Sequence, residues 1–264
     1  MKYAQLHSHL EGSIELESIN CSWENRSEVY NWFGSKNRTV QEILSCLNQY
    51  THKTNCFSEV RIDYQGNMTD YLFSRDVLKE LPRLPIIYSF RRQDGHLEDI
   101  STIIRLFTDG LICGVDFTGK EFQNPPSKFF KMITKIEYEC IPYTYHLGER
   151  SGVEELMQLL KFKPKRIGHG LSIDERTVDL ILEKDIHIEV CLTSNIYTGR
   201  ATLLKHPVIL FYKRGCSFSL NEDDSVFFNT NIIKEYSLLK SILPEADLNK
   251  IYQNTLKASF SSLF

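Results

Sequence analysis

Apolar and polar positions follow two different periods along this chain. Eight short runs are rich in β-branched and aromatic residues: Tyr3 to His9, Cys56 to Ile62, Leu84 to Phe90, Ile112 to Phe117, Ile141 to His146, Arg166 to His169, Ile186 to Cys191 and Cys216 to Asn221. Runs of this length and composition predict strands. Between most of them the apolar residues recur at helical spacing. Val153, Leu156, Met157 and Leu160 fall at i, i+3, i+4 and i+7, as do Ile100, Ile103, Ile104 and Phe107. Val178, Ile181 and Leu182 repeat the spacing, and Val40, Ile43, Leu44 and Leu47 predict a helix over Thr39 to Tyr50. The segment from about Leu243 to Phe264 reads as a C-terminal helix that closes the fold.

Strands that alternate with helices imply a parallel sheet. Eight such units in 264 residues suit one closed barrel, an α/β fold of the (β/α)8 TIM class, with residues 1–264 as a single domain. An open doubly wound sheet is the alternative. It would usually carry a glycine-rich phosphate turn after strand one, where this chain has His7-Ser8-His9.

Composition narrows the class further. The hydrophobic fraction of 42% is ample for one sizeable core, and the net charge of −3 gives no strongly basic surface for nucleic acid or membrane. No apolar run approaches the roughly 18 residues that cross a bilayer. The start does not resemble a secretory signal, so a cytoplasmic protein is expected. The seven cysteines include no Cys-x-x-Cys pair, which fits small buried hydrophobes in a reducing compartment rather than a zinc–thiolate site.

The candidate chemistry collects at strand ends, which in a parallel barrel point into one opening. His7 and His9 sit two apart on strand one and face the same side. His146 ends strand five, His169 ends strand six, and Asp223 and Asp224 follow strand eight. Any one of these alone is more often structural, but together they converge. Three histidines and a carboxylate suit Zn²⁺, which lowers the pKa of a bound water towards about 7. Attack on an aromatic ring needs a proton donor as well. Glu149, three residues after His146, stands above the same strand end and could supply one from a dry pocket.

These segments resemble the adenosine/AMP deaminase family of metal-dependent hydrolases. The resemblance rests on Leu6-His7-Ser8-His9-Leu10-Glu11-Gly12, Glu59-Val60-Arg61, Gly114-Val115-Asp116-Phe117-Thr118-Gly119-Lys120-Glu121 and His146-Leu147-Gly148-Glu149. It continues through Arg166-Ile167-Gly168-His169-Gly170, Glu189 to Asn195 and Ser219 to Asp224, all in family order. It implies one zinc per chain held by His7, His9, His146 and Asp223. Glu149 would protonate the purine nitrogen beside the amino-bearing carbon. His169 would orient the attacking water, with Asp223 beside it. Asp224 would bind the imidazole side of the purine, His9 would flank it, and the Gly119 N–H would donate to another ring nitrogen. A second metal is not expected, because the fourth strand has no Lys and its one carboxylate, Asp116, belongs to the family pattern.

The chain departs from the family at Leu147, Lys120, Leu192, Glu222 and Ser225. Leu147 and Glu222 are expected to reshape the pocket or change its charge. The implied activity is hydrolytic deamination of an adenine-type purine nucleoside or nucleotide. Other activities on the same scaffold stay open: an N6-substituted AMP or adenine deaminase, another amidase or phosphoester hydrolase, in salvage or in antiviral defence. A non-enzymatic interaction module is the third alternative, disfavoured by the complete metal and acid set. The partner is a small purine, with no nucleic acid and no membrane.

Only about 42 residues separate Ser13 from Cys56, which leaves roughly Glu15 to Lys36 as a short lid bearing Trp23, Tyr30, Trp32 and Phe33. A short lid leaves the sugar end open and favours a 5′-phosphate, met by cations such as Arg26, Lys36, Arg91, Arg92 or Lys120.

Overall fold

The computed structural model describes residues 2–33, 40–53, 56–63, 84–92, 100–119, 121 and 124–261. The described residues hold nine short strands: β1 (Ala4–Gln5), β2 (Phe57–Ser58), β3 (Val60–Asp63), β4 (Ile86–Arg91), β5 (Gly114–Thr118), β6 (Tyr143–Leu147), β7 (Arg166–His169), β8 (His187–Val190) and β9 (Phe218–Leu220). Strands β3 to β9 form one parallel sheet in sequential order, and β1 pairs with β2.

The chain after β1 joins the two edges of that sheet. On one side His9 N–H donates to Asp223 O (2.9 Å) and Asp223 N–H to His7 O (3.1 Å). On the other, Arg61 N–H donates to Ser8 O (2.8 Å) and Leu10 N–H to Arg61 O (2.9 Å). The sheet therefore curls into a barrel, with β2 and β3 as the two halves of its second strand. Of the ten α-helices among the described residues, the barrel strands are followed by α2 (Val40–Lys53), α3 (Ile100–Thr108), α4 (Phe130–Tyr138), α5 (Val153–Leu159), α6 (Val178–Glu183), α7 (Leu192–Tyr197), α8 (Val208–Arg214) and α9 (Ile232–Ile242), or preceded by them. Helix α1 (Arg26–Phe33) lies in the lid segment and α10 (Leu248–Lys257) near the C-terminus.

Apart from Phe57 and Arg91 the strand residues are buried, yet they alternate in kind, because successive side chains face opposite sides of the sheet. Val60, Ile62, Val115, Phe117, Tyr143, Tyr145, Ile167 and Ile188 belong to the apolar core shared with the helices. Between them lie Arg61, Asp116, Thr144, Arg166 and Glu189, all fully buried. Arg61 pairs with Asp116 (3.0 Å) and Glu189 (2.5 Å), and Arg166 pairs with Glu189 (2.7 Å) and Glu59 (2.6 Å). Glu59 then accepts from the Phe260 and Ser261 N–H groups (2.6 and 3.1 Å), and Arg166 lies 3.5 Å from the Phe260 ring centre. A ladder of alternating charge thus connects the C-terminal segment to the site.

The C-terminal region differs from the sequence expectation. Helix α9 is an additional element, and among the described residues the last helix is Leu248–Lys257 rather than a run from Leu243 onward. Side-chain caps mark both starts: Asn231 accepts from Lys234 N–H and Asp247 from Lys250 N–H. Pro244 follows α9 and cannot continue a helix. Among the described residues no helix is long and apolar enough to cross a membrane.

Candidate active site

The polar residues at the strand ends surround a cavity of about 580 Å³. His9, His146, His169, Glu149, Gly119, Asp223 and Asp224 all line it. His7 lies just beneath, fully buried. The ligating atoms of His7, His9 and His146 fall within 4.8 Å of one another, as do those of His7, His169 and Asp223. His9 Nε2 is 3.2 Å from His146 Nε2, and Asp223 Oδ1 is 3.3 Å from His7 Nε2 and 3.7 Å from His9 Nε2.

The other ring nitrogens are held from behind. His7 Nδ1 contacts Glu189 Oε2 (2.9 Å), His146 Nδ1 contacts Asp116 Oδ1 (2.9 Å), and His9 Nδ1 contacts Asp63 Oδ1 (3.3 Å). A carboxylate behind the ring fixes the proton on Nδ1 and turns the Nε2 lone pair forward, as metal-ligating histidines require. Ser194 Oγ donates to Asp223 Oδ2 (2.5 Å), which leaves Oδ1 towards the histidines. His7 Nε2 is buried with no hydrogen-bond partner.

This donor set fits a cation. Two Nε2 lone pairs facing each other at 3.2 Å repel unless a proton or metal lies between them. Burial holds His146 neutral, its pKa down at about 3. Burial also works against a charged His9, but Asp63, Asp224 and Asp223 outweigh it and raise its pKa to about 10. Carboxylates that draw a proton this strongly would also draw a metal. Burial opposes the Asp223 charge too, but His7, His169 and His9 hold its pKa well below the usual range. Nitrogen and oxygen donors without thiolate suit zinc. Asp116 is spent on His146, Arg61 and Ser89 and is not aimed at a second metal.

Asp224 is the unbalanced group. Its Oδ1 is buried without a partner, and burial together with Asp223 pushes its pKa well above the usual carboxylate range. A Cβ on Gly12 would lie 1.9 Å from that oxygen, so the glycine of the first motif leaves room for this carboxyl. His169 and Asp223 both adopt left-handed backbone (φ 59° and 61°), which is uncommon outside glycine and costly unless the surroundings enforce it.

Glu149 Oε2 lies 3.7 Å from His169 Nε2. Its side chain is 29% exposed, so the pocket rim is wetter than the sequence reading expected. Two groups fix this corner, and neither was singled out from the sequence. Glu121 accepts from the N–H groups of Glu149 (3.3 Å), Arg150 (2.7 Å) and Ser151 (2.6 Å). Asn195 Oδ1 contacts His169 Nδ1 (3.0 Å). Both stand inside motifs that carry the family resemblance, which was the available signal.

Several expectations about the pocket wall are corrected. Arg92 does not face the opening. It is buried, stacks 4.6 Å from the Tyr145 ring centre, and bonds Glu155 (2.6 Å), Tyr145 Oη (2.8 Å) and the Thr118 and Gly119 carbonyls. Leu147 and Glu222 do not line the cavity. Leu147 packs in the core outside the barrel, and Glu222 accepts from Ile232 N–H at the start of α9 (2.8 Å). Arg26 and Arg91 do line it, joined by Arg150. Lys36 and Lys120 lie outside the described residues. The lid segment docks by aromatic contacts, Trp23 on Phe228 (5.1 Å) and Tyr30 on Phe227 (6.4 Å), which places Trp23 and Tyr30 over the cavity while Phe33 enters the core.

A family model described as adenosine deaminase matches residues 83–263. An adenosine deaminase from Streptococcus agalactiae is 32% identical over 179 residues, which is 65% of this chain and 52% of that protein. The match thus spans about half the length of that relative. Among solved structures, the N6-methyl-AMP deaminase from Arabidopsis thaliana has a TM-score of 0.84 at 18% identity, covering 99% of this chain and 93% of that one. The adenine deaminase from Arthrobacter aurescens has a TM-score of 0.79 at 19% identity, covering 99% and 94%. At these identities the structures speak for the barrel fold.

Proposed function

The chain belongs to the adenosine deaminase family, and from that premise we propose that it is a zinc-dependent hydrolase that removes the amino group of an adenine-type purine. The observation that carries this reading is the union of two features in one cavity. Histidine Nε2 atoms and Asp223 converge on a point suited to a cation, and the buried, unpartnered Asp224 stands beside them.

His7, His9, His146 and Asp223 would hold one zinc. Bound there, the metal would lower the pKa of a water towards neutrality. The remaining steps belong to the protein's own groups. Asp224 receives the N7 side of the purine and the Gly119 N–H meets N3, which leaves N1 towards Glu149. Glu149 delivers a proton to N1, and the amino-bearing carbon beside it becomes able to accept a nucleophile. His169, held on Nδ1 by Asn195, directs Nε2 at the attacking water and steadies the charge that develops. Trp23 and Tyr30 cover the ring.

The test is ammonia release from adenine, adenosine, deoxyadenosine, AMP, dAMP and N6-methyl-AMP, measured beside metal content. Release from at least one of them by protein with about one zinc per chain is expected. Zinc-loaded protein that releases ammonia from none of them would refute the reading.

A further inference from the structure

Asp63, which holds His9 Nδ1 from behind, also lines the cavity, and none of the purine contacts proposed above uses it. It ends β3, is buried, and lines the opening. Its Oδ1 lies 3.3 Å from His9 Nδ1, and its N–H donates to Glu11 Oε1 at 3.0 Å. Once His9 Nε2 faces the ligand centre, Nδ1 carries the hydrogen and donates it, so the Asp63 carboxylate is an acceptor. Glu11, fully buried with Oε2 unpartnered, stands directly behind it.

Barrel order shows which part of a purine Asp63 would meet, on the deaminase reading given above. Around the purine perimeter N9 lies between N3 and N7, on the side away from N1. Around the barrel, Gly119 follows β5, Glu149 follows β6 and Asp224 follows β9. The quadrant from Asp224 to Gly119 that avoids Glu149 contains His9, the end of β3 and the end of β4. The substituent on N9 therefore points at Asp63 and Arg91, with Tyr30 above. The Arg91 guanidinium lies 5.5 Å from the Tyr30 ring centre.

We propose that Asp63 is a specificity-determining residue that accepts a hydrogen bond from the N9 edge of the substrate. The donor is a ring N–H in a free base or a sugar hydroxyl in a nucleoside. A buried acceptor backed by a second carboxyl group rewards such a donor and opposes a phosphate carried on the same edge. The substrate is thus an unphosphorylated adenine compound, despite the arginines at the rim.

The experiment compares kcat/KM for adenine, adenosine and AMP in the wild type and in Asp63→Asn, with zinc content measured in both. The wild type should prefer adenine or adenosine to AMP by about tenfold or more. Asp63→Asn, assayed with zinc restored to about one per chain because Asp63 also holds His9 Nδ1, should shrink that ratio by about tenfold, mainly through KM. The adenine and adenosine arms distinguish the ring N–H from the hydroxyl. Competition by the products hypoxanthine, inosine and IMP on the wild type gives the same ordering without a variant, with IMP the weakest. A wild-type preference for AMP, an unchanged ratio in a zinc-replete variant, or IMP as the tightest product would overturn the proposal. Should no adenine compound release ammonia, the deaminase reading falls, and equilibrium binding of the three products still decides whether this edge rejects phosphate.

Discussion

His7 Nδ1 lies 2.9 Å from Glu189 Oε2, a carboxylate from β8 that also pairs with Arg61 and Arg166. The candidate metal centre therefore rests on the charge ladder that fills the barrel. Orientation of the first histidine and stability of the fold share one residue.

Glu189→Gln should weaken zinc binding by about 10- to 100-fold, the usual consequence of losing a carboxylate behind a ligating histidine. It should also destabilise the protein by about 3–5 kcal/mol, because Arg61 and Arg166 keep buried charge with less compensation. Titration with a competing chelator and denaturant unfolding measure the two effects. Asp116→Asn should act likewise through His146. Unchanged zinc affinity in both variants would show that these carboxylates do not aim the ligands.

Glu149→Gln should keep zinc and lose about 10² to 10⁴ in kcat, the range typical for removal of a positioned proton donor. Single-turnover kinetics on metal-replete protein would show it. Full activity in that variant would assign the proton to another group.

Glu235 predicts a pH dependence of stability. Burial raises its pKa from 4.5 to about 7, against the bonds it accepts from Thr193 and Thr230. Between those values the folded state holds a proton that the unfolded chain has lost, so the contribution of this group to stability falls as pH rises through that window. Glu235→Gln has no such titration. The wild type should therefore lose up to about 3 kcal/mol relative to the variant between pH 4.5 and pH 7. A stability difference that stays constant across the window would contradict this.

Much of this architecture is legible in the chain because the barrel writes it with a period of two. His7 and His9 share a face, and His146, His169 and Asp223 stand where strands end. The same rule explains where the structure departs from the sequence pattern. Arg91 and Arg92 look alike in sequence, yet consecutive strand-end residues face opposite ways, so one lines the cavity and the other bonds Glu155. Leu147, next to His146, turns to the core for the same reason. Asp63 lay one residue beyond the expected end of its strand. Glu121 and Glu222 act on backbone N–H groups that are distant in sequence, by 28 and 10 residues, and no local pattern marks such partners.

The central claim is that zinc at these four residues serves deamination of an adenine-type purine, and one measurement tests it most directly. Ammonia release from adenine, adenosine and AMP is followed for protein loaded with zinc, stripped by chelator, and reloaded. Release that requires about one zinc per chain, disappears on stripping and returns on reloading is the predicted result. Equal release from stripped protein, or none from fully loaded protein, would contradict the account.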